Sequence, residues 1–95
     1  MPSRPRVRTF IGIFERSSSR AAHVETDDGE YVIKVANNPE GPRVLVNEWI
    51  GTAVARRLGV LTPEFTIVDV PDLIEIPLRP GLMAQPGPAF ASRFE

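Results

Sequence analysis

Turn-forming residues cut this chain into pieces too short for most architectures. Asp27-Asp28-Gly29, Asn37-Asn38-Pro39-Glu40-Gly41-Pro42 and Gly59 to Pro63 punctuate it. Glycine tolerates positive φ, and proline can donate neither to a ladder nor within a helix. Between the breaks stand short runs rich in β-branched and aromatic residues, and one longer run. Val7 to Glu15, Ala21 to Thr26 and Glu30 to Ala36 read as three strands. Gly12 inside the first suggests a bulge or a close approach by another backbone or a ligand. Ser17-Ser18-Ser19-Arg20 is a polar loop, and Asp-Gly suits a tight hairpin between the second and third strands.

From Pro42 to Leu58 the pattern turns helical. Proline fits a first turn, Arg56 and Arg57 face the negative end of the dipole, and Gly59 stops the helix. Glu64 to Val70 returns as a strand. The order β-β-β-α-β predicts an α+β fold, a small antiparallel sheet with one main helix packed on it. The helix is apolar almost all round, so burial on several sides is expected, with Trp49 in the core. Asp72 to Ile76 reads as a single helical turn. Residues 77–88 hold four prolines and two glycines and read as loop, and Phe90 to Phe94 begins a strand with too little chain left to complete it. The expected organisation is a flexible lead-in over 1–7, a domain over 8–76, and a Pro/Gly-rich tail over 77–95 ending in a short strand.

Composition excludes several functions. Ninety-five residues make at most one domain. A net charge of −1 gives no basis for binding nucleic acid or an acidic membrane. With no cysteine there is no disulfide and no thiolate metal site, and a cytoplasmic location is expected. No apolar run approaches the ~20 residues that span a bilayer. The basic start, Met1 to Arg8, is not a signal peptide, because Gly12, Glu15 and Arg16 break the apolar stretch that should follow.

The chain has ten arginines but a single lysine, Lys34, in the middle of an apolar run. Alternation puts Tyr31, Ile33 and Val35 on one face, and Val32, Lys34 and Ala36 on the other. An ammonium among apolar neighbours needs a carboxylate, a phosphate or both, unless it snorkels to solvent from an edge. Glu48 lies fourteen residues on, in the helix, on a stripe with Val44, Gly51 and Ala55. A helix packed on the sheet brings Glu48 to Lys34; otherwise Glu48 reaches solvent beside Thr52. His23 has no second histidine with which to hold a metal and reads as structural. Asp27 and Asp28 are turn residues, while Asp69 and Asp72 read as a strand end and a helix cap.

A strand lysine followed by a glutamate in the next helix resembles the nucleotide-gripping device of protein kinases, where a V-A-I-K lysine holds the α- and β-phosphates and the glutamate holds the lysine. Tyr31-Val32-Ile33-Lys34 stands in the strand position. The blocks Asp28 to Lys34, Asn37 to Gly41, Arg43 to Glu48, Ala55 to Val60 and Thr62-Pro63-Glu64 are similar to the HipA-like serine/threonine kinases. Ile67 to Ile74 and Phe90 to Phe94 match more loosely.

The resemblance implies a kinase N-terminal lobe that binds ATP with Mg2+ through Lys34 and Glu48. Gly12, Ser17, Ser18 and Ser19 would stand in place of the absent G-x-G-x-x-G loop. It implies no catalytic residue here, since the aspartate base and the magnesium ligands belong to a C-terminal lobe. The chain is then expected to be incomplete and inactive alone, with weak ATP binding. Its implied partners are a kinase C-lobe, a kinase-like protein or a second copy. The alternative is a standalone module that regulates a kinase-like or toxin–antitoxin partner. In a third reading the Lys34–Glu48 pair is only structural.

Overall fold

The computed structural model describes residues 4–94. Its elements are β1 (Val7–Ile13), β2 (Ala22–Thr26), β3 (Gly29–Lys34), α1 (Arg43–Arg57), β4 (Phe65–Val70), β5 (Pro77–Arg79), β6 (Leu82–Met83) and β7 (Gly87–Arg93). Five strands form one antiparallel sheet in the order β1-β2-β3-β7-β4, and β5 and β6 make a separate hairpin.

Asp27-Asp28-Gly29 turns the chain as expected. Gly29 takes φ 99°, and Thr26 Oγ1 donates to Gly29 O while accepting from Asp28 N, at 2.8 and 2.9 Å. That loop pairs Thr26 with Gly29, which in turn sets Val24 opposite Tyr31 and His23 opposite Val32. On one face Val24, Tyr31, Ile33, Val68, Ala89 and Ala91 are buried, and Ile76, Leu78 and Ala84 cover them. Each buried branched side chain stabilises the fold by about 1.5–3 kcal/mol. The opposite face carries Lys34, Phe90 and Ile67 in one cross-strand row, and Gly12, His23, Val32, Ser92 and Phe65 in the next.

Several expectations change, three of them outside the helix. First, the lead-in is tied down from its described start. Arg6 bridges Asp69 in parallel, Asp69 N donates to Pro5 O at 2.9 Å, and Arg4 pairs with Asp69 at 3.4 Å, so the sheet curls until its ends meet. Met1, Pro2 and Ser3 lie outside the described residues. Second, residues 77–88 are not simply loop, because they contain the β5–β6 hairpin. The strand expected only to begin at Phe90 is complete and takes an interior place in the sheet, between β3 and β4. Pro88 is tolerated because Asp69, its partner, turns its N–H outward to Pro5, and pairing with β3 starts only at Phe90. Third, Asp72 to Ile76 holds only a turn, closed by Ile74 N to Pro71 O at 3.3 Å, before Ile76 enters the core.

The helix runs close to its expected bounds. Pro42 is its N-cap, and Gly59 at φ 79° closes it. Gly59 N donates to Arg56 O and Val60 N to Ala55 O, the paired bonds of a Schellman stop. The burial expectation fails, however. No residue of α1 is buried, and Val46, Ile50 and Val54 are each more than half exposed. The core closes on the other face of the curled sheet, which leaves the helix an outer surface to lean on. Trp49, expected in the core, is 43% exposed and meets Phe65 and Phe90 edge-on at 4.8 and 6.3 Å.

Candidate functional site

Lys34 ends β3 on the outer face. Its neighbours Ile33 and Val35 point inward and are buried, so alternation alone turns the lysine toward α1. Glu48 stands one turn into the helix, and its Oε1 accepts a hydrogen bond from Lys34 Nζ. The lysine and glutamate side chains keep 25% and 37% of their surface, so the pair is partly wet. Solvent screening at that exposure limits its worth to folding to about 0–1 kcal/mol. An ammonium carries three N–H donors. Glu48 takes one, and no other acceptor among the described residues takes the rest.

The remaining expected residues divide. Gly12 follows a register shift in β1, which bears out the bulge, and sits opposite His23 on the row next to Lys34. A Cβ there would meet nothing within 4 Å, so the space above it is open. The serine loop is largely self-satisfied. Ser17 and Ser19 hydroxyls bond each other at 3.0 Å, Ala21 N donates to Ser17 Oγ at 3.4 Å, and Ser19 is buried. Only Ser18 is fully on the surface. Asp69 pairs with Arg4, and Asp72 lies exposed in a turn.

An aromatic stack on the lysine's face of the sheet was not foreseen. His23 lies against Phe94 with ring centroids 4.0 Å apart and against Phe14 at 6.3 Å. Its Nε2–H donates to Glu30 Oε1 at 2.6 Å, a carboxylate being acceptor only. The signal was present in the hairpin register, because a two-residue loop at Asp27-Asp28 places His23 beside Val32 and hence on the lysine's face.

On the buried face of β3 Tyr31 donates to Asp28 Oδ2 at 2.9 Å beneath the Arg93 guanidinium, 4.6 Å from the ring centroid. Burial, aided by the Asp28 bond, pushes the tyrosine hydroxyl up to about 12. Among the described residues no cluster of His, Asp or Glu could hold a metal ion, and no helix is long and apolar enough to cross a membrane.

A five-stranded antiparallel sheet with a helix glutamate bonded to a strand lysine defines a small α+β domain. The family model described as HipA-like kinase matches residues 11–95, and the chain belongs to that family. No curated protein and no solved structure matches it.

Proposed function

We propose that this chain is the ATP-binding N-terminal lobe of a HipA-like kinase. The observation that carries the proposal is the hydrogen-bonded Lys34–Glu48 pair on the open face of the sheet. A lysine is a point charge on a flexible stem, and a carboxylate that takes one of its protons leaves it aimed and still able to donate to phosphate oxygens. Gly12 leaves room on the same face, and the Phe14–His23–Phe94 stack offers aromatic surface there. The donor set therefore suits a nucleotide phosphate. ATP with Mg2+ would be held by Lys34, with Glu48 orienting the lysine and the β1–β2 region above it. Phosphoryl transfer needs an aspartate base and magnesium ligands from a C-terminal lobe, so the role assigned to this chain is holding the nucleotide. Half a cleft should bind weakly, with a millimolar constant worth about 4 kcal/mol.

Calorimetric titration with ATP and magnesium tests the assignment. The wild type should bind, and Lys34→Ala should not, while keeping its circular dichroism spectrum. Equal affinity in the two proteins would remove the site.

A second role is favoured by one observation, the unpartnered apolar surface of α1 formed by Val46, Ile50 and Val54. On this account the lobe docks a kinase-like partner, in the manner of a small subunit of a toxin–antitoxin set. Ile50→Glu should then abolish the complex without lowering ATP affinity, and a complex that survives the substitution would argue against helix docking.

A further inference from the structure

Because α1 has no buried residue, burial does not fix where Glu48 stands. Besides the Lys34–Glu48 bond itself, the helix is held at three places. Trp49 leans on Phe65 and Phe90. At the C-terminal end Arg56 donates to Thr62 Oγ1 at 3.0 Å and Pro63 O at 3.2 Å. At the N-terminal end the connection from β3 carries two adjacent asparagines, and each uses its side-chain amide as both donor and acceptor. Asn38 is 4% exposed and works within the loop: its Nδ2 donates to Val35 O and Gly41 O, and its Oδ1 accepts from Glu40 N, at 2.7, 3.1 and 2.9 Å. Asn37 works at long range. Its Nδ2 donates to Met83 O and its Oδ1 accepts from Gln85 N, both at 2.8 Å, joining the loop to the end of β6 almost half the chain away.

We propose that Asn37 is a positioning residue, whose two-sided amide clamp to Met83 and Gln85 holds the start of α1 and so keeps Glu48 on Lys34. This rests on the nucleotide-holding role for that pair, but its mechanical half can be read without any nucleotide. The loop between Lys34 and the helix has only two long-range side-chain bonds among the described residues, and both belong to Asn37. An asparagine fits because the site asks for one donor and one acceptor in a plane, facing a backbone C=O and a backbone N–H. Alanine removes both bonds. Aspartate keeps the acceptor for Gln85 N but sets a negative charge against Met83 O.

The test compares wild type, Asn37→Ala and Asn37→Asp in the purified protein. Trp49 emission reports the helix–sheet contact, and the side-chain 15N signal of Lys34 reports its bond to Glu48. With Asn37→Ala the emission should move to longer wavelength, the Lys34 signal should lose its protection against solvent exchange, and ATP affinity should fall about tenfold, the scale of two ordinary hydrogen bonds. Asn37→Asp should shift the same three readouts less far. It also decides the matter if the alanine variant does not fold. Unchanged Trp49 and Lys34 signals in a folded variant would overturn the positioning role. Shifted signals in a protein that binds no ATP in any form would keep the clamp and remove the nucleotide assignment instead.

Discussion

Two neighbouring residues of β3 do opposite work. Ile33 points into the core at 1% exposure, and replacing it with alanine should cost about 2–5 kcal/mol of stability in a denaturant titration. Lys34, one residue on, holds a partly wet ion pair. Lys34→Ala should cost about 0–1 kcal/mol by the same measurement, yet abolish nucleotide binding. A lysine deletion that unfolds the protein would make the pair structural. Tyr31 adds a dependence on pH. Its hydroxyl is raised from the ordinary 10 to about 12 by burial and the Asp28 bond. Between those values the folded state holds a proton that the unfolded state has lost, so stability falls as pH rises from 10 to 12 and is unaffected by this group below 10. Thermal melts of Tyr31→Phe should show a weaker fall across that window, at a cost near neutrality of about 1 kcal/mol for the lost hydrogen bond. Both the lysine and its partner were legible in the sequence, because a lone lysine in an apolar run and a glutamate on an apolar stripe each require a partner. The stack at His23 was legible only through hairpin register, and the Asn37 clamp was hidden, since its partners lie far along the chain.

The elements that could be read were those that announce themselves locally. β1, β2, β3 and β4 follow runs of β-branched and aromatic residues, and α1 ends where Gly59 can adopt φ 79°. Gly59→Ala should therefore destabilise the protein by about 1–2 kcal/mol in chemical denaturation, because a Cβ is unfavourable in the left-handed region. A cost near zero would mean that the helix end frays without consequence. The element hardest to read was β7. Gly87-Pro88-Ala89-Phe90-Ala91 is rich in residues disfavoured in strands. Its alanines are fully buried where the sheet curls, and its proline sits where no partner asks for an N–H. Tertiary context overrode local preference there. The helix failed in the other direction. Its apolar surface suggested burial on several sides, but an apolar face states a need for cover and not that the same chain supplies it.

Over the whole molecule, the last described strand completes the sheet. β7 pairs with β3 on one side and β4 on the other, so a chain cut after Ile76 would lose the strand that joins β4 to the sheet and should show no cooperative unfolding transition by circular dichroism. The curled sheet buries one face and leaves the other to α1, the lysine and the aromatic stack. Membership of the HipA-like kinase family covers nearly the whole of that architecture, from residue 11 onward. The most direct test of the proposed role is a map of backbone amide shifts as ATP and magnesium are added to the purified protein. The account predicts shifts gathered on the outer face, at Gly12, His23, Val32, Lys34 and Glu48, that vanish in Lys34→Ala. Shifts confined to the buried face or the β5–β6 hairpin, or none at millimolar ATP, would contradict it.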